Sequence, residues 1–430
     1  MKVLILGSGG REDAFAWKLS NESQIEKIYV SPGHDGMSRF EKVETIGSFS
    51  HEELRDFAKE KKIDLTIVGP ETALTMGIVD LFIDSGLRIF GPSKKAAQLE
   101  GSKIFAKNFM KKYEIPTASF ETYDNYKDAV AGLSNWPIEE KGIVIKADGL
   151  AGGKGVVVTH DRSEAEHTIN DFMINPEISV KSDTILFENI LPGDEVSVFA
   201  LCKGLDSFYL GSACDHKRLG DNDTGPNTGG MGCFRDPSWP DLNLLNKIEE
   251  RILKPTLQGC MAEGMSYNGF LFMGLMIDEK SDPYVVEYNV RLGDPETQTL
   301  LPLLDGSLGQ FIYDFIDSGS ADGLSLKDEA SVHIVATSGG YPSLDDSPLD
   351  LGHSIDLGNV QDGIFLAGIK NDENGNGYLN SGGRVLGVTV SSSTVDEARE
   401  KAYRLMENIK FKGMHYRSDI ARRKRGETNG

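Results

Sequence analysis

The chain has 430 residues, with Lys+Arg 45 against Asp+Glu 66 and a formal net charge of −21. At roughly 150 residues per domain the length suggests about three domains, and a field of that sign repels nucleic acid and anionic membrane surfaces. Glycine is abundant, 48 residues against 16 prolines, but the glycines show no three-residue period, which excludes a collagen-like chain and a Pro/Gly-rich disordered one.

The opening run Val3-Leu4-Ile5-Leu6 reaches Gly7 too soon for a signal peptide and reads as a strand. No run approaches the ~18 apolar residues of a membrane span. The cysteines at 202, 214, 233 and 260 form no CxxC pair and no zinc spacing with histidine. They read as reduced thiols of a cytoplasmic protein.

Over the first hundred residues, short apolar runs at 3–6, 28–30, 65–68 and 88–90 alternate with helix-like stretches. That spacing predicts βαβ units and a parallel sheet. Gly7-Ser8-Gly9-Gly10-Arg11-Glu12 lies between the first strand and its helix, where free N–H groups and the helix dipole favour an anion. A dinucleotide fingerprint would need glycine where Glu12 stands and an acid at the end of the second strand, but Tyr29-Val30-Ser31-Pro32-Gly33 supplies none. A nicotinamide cofactor is therefore disfavoured. A phosphate-bearing substrate and a tight turn with no ligand both remain open. Gly69-Pro70-Glu71 ends the third strand and faces the same crevice.

After Gly91-Pro92-Ser93 a helix is expected at about 93–113, then strands at 143–147, 155–159 and 184–188 with a helix near 163–174. Lys146-Ala147-Asp148-Gly149-Leu150-Ala151-Gly152-Gly153-Lys154-Gly155 runs into Val156-Val157-Val158, so a strand and not a helix follows the glycines. This is a hairpin flap rather than a Walker loop. Such a loop can bring backbone N–H groups over phosphates, with Lys146 and Lys154 supplying charge. The apolar strand ending at Glu188 fits a hinge against an adenine, and Glu195 could accept ribose hydroxyls.

Longer strands follow, with a helix near 241–264 and a hairpin over 270–277 and 283–290. Asp215-His216-Lys217-Arg218 and Thr224-Gly225-Pro226-Asn227-Thr228-Gly229-Gly230-Met231-Gly232 show no periodicity and read as one long functional loop. In Val285-Val286-Glu287-Tyr288-Asn289-Val290-Arg291, period two puts Glu287, Asn289 and Arg291 on one face. Glu with Asn is the hard oxygen chemistry that Mg²⁺ takes alongside phosphate oxygens. After about 325 comes a smaller α+β region with strands at 331–337, 363–369 and 384–390. Ala421-Arg422-Arg423-Lys424-Arg425 reads as a solvated basic end.

Together these motifs, with Leu99-Glu100-Gly101-Ser102-Lys103, Leu292-Gly293-Asp294-Pro295-Glu296-Thr297 and Ser381-Gly382-Gly383-Arg384, resemble the glycinamide ribonucleotide synthetase (phosphoribosylamine–glycine ligase) family of ATP-grasp enzymes over nearly the whole chain. The resemblance implies a multidomain α/β and α+β fold: an N-terminal parallel α/β domain at 1–103, a central ATP-grasp domain at 104–122 and 193–325, its lid at 123–192, and a C-terminal α+β domain at 326–430. It implies ligation of glycine to 5-phosphoribosylamine through glycyl phosphate, with ATP and Mg²⁺ (or Mn²⁺), in a cytoplasmic monomer or weak homodimer. Lys103, Lys146, Lys154, Glu188, Leu191 and Glu195 would hold ATP, and Glu287 and Asn289 the metal. Gly9, Gly10, Arg11, Glu71, Asp215, Lys217, Arg291 and Asp294 would contact the substrates, Asp215 taking the glycine ammonium. Lys146, Asp215 and Arg291 would serve catalysis. The three glycine-rich loops are each expected where backbone approaches a phosphate or acyl phosphate.

The family usually has His where Asp13 stands, Ala-Ala where Ala151-Gly152 stands, and often Glu where Asn189 stands. The strand at 270–277 carries no acid for the metal. Another ATP-grasp ligase, a nicotinamide oxidoreductase and a non-catalytic ATP-binding regulator are the rival readings.

Overall fold

The structure is a computed structural model and describes residues 1–152, 155–175, 181–320, 322–343, 347–360, 362–373, 375 and 377–422. Strands β1 (Lys2–Gly7), β2 (Lys27–Pro32), β3 (Val43–Thr45), β4 (Leu65–Val68) and β5 (Ile89–Phe90) form a sheet in the order β3-β2-β1-β4-β5, every pair parallel. β1 and β4 are buried along their middles, which is why they read as continuous apolar runs. β3 was invisible in the pattern because Val43 alone of its three residues is buried. The order reverses between β1 and β4, so a crevice opens at their carboxyl ends.

Strands β6 (Phe120–Tyr123), β7 (Ile143–Ala147), β8 (Val156–Thr159) and β9 (Ile185–Glu188) form a separate antiparallel sheet, ordered β6-β9-β7-β8. The helix Arg162–Met173, capped by the Asp161 carboxylate, covers it. Ile145, Ile169, Phe172 and Phe187 belong to its own core cluster. β7 and β8 pair as the expected hairpin; Lys154 lies outside the described residues.

The largest sheet joins the middle of the chain to its C-terminal third. Its members and neighbours are β10 (Asp194–Lys203), β11 (Asp206–Asp215), β12 (Arg218–Gly220), β13 (Thr224–Asn227), β14 (Gly232–Arg235), β15 (Asn268–Ile277), β16 (Pro283–Asn289), β17 (Leu304–Gly306), β18 (Leu324–Leu326), β19 (Ala330–Thr337), β20 (Ser354–Ile355), β21 (Ile364–Leu366), β22 (Ile369–Asn371), β23 (Tyr378–Asn380) and β24 (Arg384–Ser392). Eight of them run in the order β16-β15-β10-β11-β14-β19-β24-β21. β14 makes the join: it pairs with Cys214 and Asp215 at the end of β11 and with β19 on its other edge.

Three expectations need correction. The helix expected at 93–113 breaks at Ser102, whose extended backbone and side chain cap the helix Lys103–Lys112. The stretch 216–232 is not a structureless loop: β12 and β13 pair as a hairpin and β14 begins at Gly232. The strand expected at 363–369 is two, β21 and β22. They part at Gly368, where a Cβ would lie 2.6 Å from the Gly382 Cα. The helix near 241–264 is present, with a π turn at Glu249–Leu253 just before Pro255, which has no N–H to give.

Glu22 ties the N-terminal domain to the rest. It is 6% exposed. Its carboxylate accepts Leu308 N at 2.7 Å, Gly309 N at 3.0 Å and Ser307 Oγ at 2.7 Å, closing the N-terminus of the helix Leu308–Ser318. Glu22→Ala should leave two buried N–H groups unpaired and cost about 2–4 kcal/mol in urea unfolding. A loss under about 0.5 kcal/mol would contradict this account of the junction.

Candidate functional site

The site begins at β16. Gly274 on β15 lies opposite Glu287, and a Cβ there would sit 3.2 Å from the Glu287 Cγ, so glycine leaves the carboxylate room. Burial pushes the Glu287 carboxyl up, but Lys217, Lys146, Lys103 and Arg291 outweigh it and hold it below the usual carboxylate range. Asn289 ends the strand, and its Oδ1 accepts from Arg291 Nη2 at 3.1 Å. Glu287 and Asn289 thus offer two hard oxygen donors from one strand face. Among the described residues no group of three His, Cys, Asp or Glu could hold a metal, so further ligands would come from phosphate or water.

Arg291 lies just past the strand. Its Nε is 3.2 Å from Glu71 and its Nη2 is 2.7 Å from Glu100. Glu100 also accepts Val290 N at 2.8 Å. Burial pushes Glu100 up to about 6, with Arg291 opposing and Glu71 adding to the rise.

Lys146 and Lys107 grip the two oxygens of Glu188 at 2.9 Å each. Lys107 also donates to Thr117 Oγ1 at 2.7 Å, and Thr117 Oγ1 to the Val285 carbonyl at 2.6 Å. Burial lowers the Lys107 ammonium to about 8 against the pull of Glu188. Lys103 donates to the Gly149 carbonyl at 2.7 Å. Asp148, from the flap, accepts from Ser102 Oγ at 3.0 Å and Ile104 N at 3.1 Å, which fixes the loop to a helix start. Leu191 is half-buried.

Glu195 on β10 is ion-paired with Lys217. Partial burial would lower the Lys217 ammonium, but Asp215, Glu195 and Glu287 push it well above its ordinary value. Asp215 ends β11. Beside it, Glu296 is pushed up to about 8, by burial first and the Asp215 charge second. Two carboxyl groups in one buried site do not both ionise readily.

The N-terminal loop holds the other half of the expected residues. The Glu12 carboxylate accepts Gly9 N at 2.7 Å and Arg11 Nε at 2.6 Å. A Cβ on Gly7 would lie 2.4 Å from it, and one on Gly69 1.8 Å. Glu12 thus fills the crevice between β1 and β4 where a dinucleotide would be expected, which adds a steric reason to disfavour a nicotinamide cofactor. Arg11 N donates to Asp294 Oδ2 at 3.2 Å. Burial would raise the Asp294 carboxyl, but Arg384, 3.1 Å away, and Arg11 hold it down. Gly9, Gly10, His34, Asp294 and Arg384 line a cavity of about 360 Å³, together with Ala367, Gly368 and Ile369.

Asp13 does not reach that cavity. It is fully buried and accepts Arg39 at 2.8 and 2.5 Å and Leu366 N at 3.0 Å. His34 stands 3.5 Å from it. Burial lowers the His34 imidazole against the Asp13 charge. Asp13 therefore fastens the first helix to β21.

Most of the expected residues gather in two groups, an ionic cleft (Glu71, Lys103, Lys146, Glu188, Glu195, Asp215, Lys217, Glu287, Asn289, Arg291) and the N-terminal loop with its cavity (Gly9, Gly10, Arg11, Asp294). They meet at the Leu292 carbonyl, which accepts from both Arg11 and Arg291. The sequence reading did not single out Lys107, Asp148 or Glu100 as side-chain partners. Lys107 stands four residues after Lys103, on the same helix face, which was the available signal.

Three family models match the chain in succession, all of phosphoribosylglycinamide synthetase: the N domain over residues 1–100, the ATP-grasp (A) domain over 101–297 and the C domain over 331–423. The phosphoribosylamine–glycine ligase of Clostridium acetobutylicum is 43% identical over 425 residues, 99% of this chain and 100% of the relative. That of Caldanaerobacter subterraneus is 42% identical over 426 residues, 98% and 99% of the two chains. The crystal structure of the Thermotoga maritima phosphoribosylamine–glycine ligase superposes with a TM-score of 0.83 at 35% identity, covering 98% of this chain and 100% of the other. The biotin carboxylase domain of Hydrogenobacter thermophilus 2-oxoglutarate carboxylase, solved with MgADP, matches with a TM-score of 0.66 at 16% identity over 96% and 91% of the chains, a likeness of fold alone.

Lys107→Met should leave Glu188 with one cation in a buried site and destabilise the protein by about 3–5 kcal/mol in urea unfolding. A change below about 1 kcal/mol would show that Lys146 alone satisfies Glu188.

Proposed function

Because the chain belongs to the phosphoribosylglycinamide synthetase family, we infer that its ionic cleft and its N-terminal cavity are the two ends of one ligation site. The activity is the ATP-dependent ligation of glycine to 5-phosphoribosylamine, a step of purine biosynthesis. ATP takes its place between the β7–β8 flap and the central sheet, contacted by Lys103, Lys146, Lys154, Glu188, Leu191 and Glu195. Glu287 and Asn289 would hold Mg²⁺ or Mn²⁺, which would supply neutralisation of the phosphate charge. Asp215 takes the glycine ammonium, with Lys217 and Arg291 beside it. Gly9, Gly10, Arg11, Glu71 and Asp294 take 5-phosphoribosylamine. Two of the N–H groups at the start of the first helix are bonded to Glu12 and Asp294, so Arg384 at the cavity wall is the added cation that an anionic substrate needs there.

In the reaction, a glycine carboxylate oxygen attacks the γ-phosphorus of ATP, the bond to the bridging oxygen breaks and ADP leaves. The amine of 5-phosphoribosylamine then attacks the carbonyl carbon of glycyl phosphate, phosphate departs and the nitrogen loses a proton. The chain works by positioning and by charge. Lys146 offsets the charge developing on the transferred phosphoryl group. Arg291 keeps Asn289 oriented and adds its field to Glu287. The flap excludes water, which would hydrolyse an acyl phosphate. The observation that carries this reading is Glu287, kept ionised by four cations, two residues from Asn289.

The units that would do this are the α/β domain at 1–103, the ATP-grasp body at 104–122 and 193–325, its lid at 123–192 and the closing domain at 326–430. We place the enzyme in the cytoplasm as a monomer or weak homodimer, without nucleic-acid or membrane partners. The net charge of −21 supports the absence of nucleic-acid and membrane partners, and four buried cysteines with no disulfide among them support the cytoplasm. Among the described residues no helix is long and apolar enough to cross a membrane.

Glu287→Gln should reduce glycine-dependent ADP release at least ~10²-fold, the usual scale for a key charge-stabilising group, with an unchanged circular dichroism spectrum. Near-normal turnover would remove the metal assignment. Asp215→Asn should raise the KM for glycine at least about tenfold, roughly the loss of one charge-assisted hydrogen bond, with the KM for ATP within about twofold. An unchanged glycine KM would move the ammonium site elsewhere.

A further inference from the structure

The segment 417–421, beyond the helix Val395–Met406, takes no part in the chemistry above, yet it grips the chain on both sides of Lys217. Arg417 is 1% exposed. Its Nη1 donates to Asp223 Oδ1 at 2.8 Å and to the Arg218 carbonyl at 3.0 Å. Its Nε and Nη2 form a fork on the Asp419 carboxylate at 2.7 and 2.8 Å. Asp419 Oδ2 also accepts Asn222 N at 2.8 Å, and Ser418 N donates to Asp221 Oδ1 at 2.8 Å. Asn222 and Asp223 are both in the left-handed region, at φ 56° and 52°, a conformation that needs surrounding structure to persist.

On the other side of Lys217, Ala421 N donates to His216 Nε2 at 3.1 Å. Ile420 packs so closely on β14 that a Cβ on Gly232 would lie 2.7 Å from its Cδ1. The segment is itself moored to the helix Val395–Met406. Tyr403 Oη donates to the Arg417 carbonyl at 2.8 Å and accepts Ile420 N at 3.0 Å, and Arg399 Nε donates to the Ile420 carbonyl at 3.0 Å.

We propose that the C-terminal segment 417–421 is a strut that sets the position of Asp215 and Lys217, with Arg417 as its positioning residue, so that its mooring on the helix Val395–Met406 controls glycine binding. The proposal rests on the reading of Asp215 as the ammonium site. β11 ends at Asp215, and the next strand pair, β12 with β13, has two strands. A two-stranded hairpin is marginal in water without a third partner. The strut supplies that partner through backbone and carboxylate bonds on residues 216, 218, 221, 222 and 223. Lys217, between the two grips, carries its ammonium to Glu195. Displacing such a group by about 1 Å can cost on the order of 10²-fold in rate.

The test uses the full chain with Arg417→Met and Asp419→Asn, the second keeping the side-chain shape if the first fails to fold. KM is measured for each substrate, with amide hydrogen exchange over 216–227 and a thermal melt. The expected result is a glycine KM raised at least tenfold, KM values for ATP and 5-phosphoribosylamine within twofold, and faster exchange in the hairpin of a folded protein. An unchanged glycine KM in both variants, or an equal rise in all three KM values, overturns the proposal. If Asp215→Asn raises the glycine KM and these variants do not, the strut fails alone. If Asp215→Asn is also silent, the ammonium-site reading fails first.

Discussion

A guanidinium between two carboxylates is the contact on which the rest of the molecule depends. Arg291 follows β16 of the central sheet and meets Glu71, which opens a helix of the N-terminal domain, and Glu100, from the short helix Gln98–Gly101 that leads out of it. Taking these charges out of water is costly, and close pairing with hydrogen bonds to the remaining atoms is what offsets it. Val290 N on Glu100 and Asn289 Oδ1 on Arg291 are such bonds. The pairing therefore aligns the N-terminal domain with β16 and orients Asn289. Its positive field adds to the three lysines that keep Glu287 ionised. Assembly of the domains and chemistry of the cleft share one set of charges.

Much of the architecture was legible from local pattern. The parallel sheet, the flap and the face carrying Glu287 and Asn289 follow from periods that neighbouring residues set by themselves. What escaped was long-range. Asp13 bonds to Leu366, 353 positions away, and Arg417 to Asp223, 194 positions away. No local period encodes either partner. The β12–β13 hairpin escaped for another reason: its strands are three and four residues with little apolar content, so its order comes from the segment that packs on it rather than from its own residues.

The glycines changed meaning once their neighbours were visible. Gly7 and Gly69 clear space for the protein's own Glu12, and Gly230 and Gly232 admit Pro295 and Ile420. At these positions close backbone packing, not ligand approach, requires glycine. Gly149 and Gly152 in the flap differ: among the described residues a Cβ on either would meet nothing within 4 Å, and it is a positive φ, 93° and 55°, that calls for glycine there. Part of the glycine surplus thus serves close packing of the chain against itself.

The central claim is that this cleft activates glycine as an acyl phosphate before the amine attacks. Turnover with glycine carrying ¹⁸O in its carboxylate tests it most directly, read by mass spectrometry of the inorganic phosphate released. The account predicts one labelled oxygen in each phosphate, because the carboxylate oxygen that attacks the γ-phosphorus leaves with it. Unlabelled phosphate, formed at the rate of product, would contradict it.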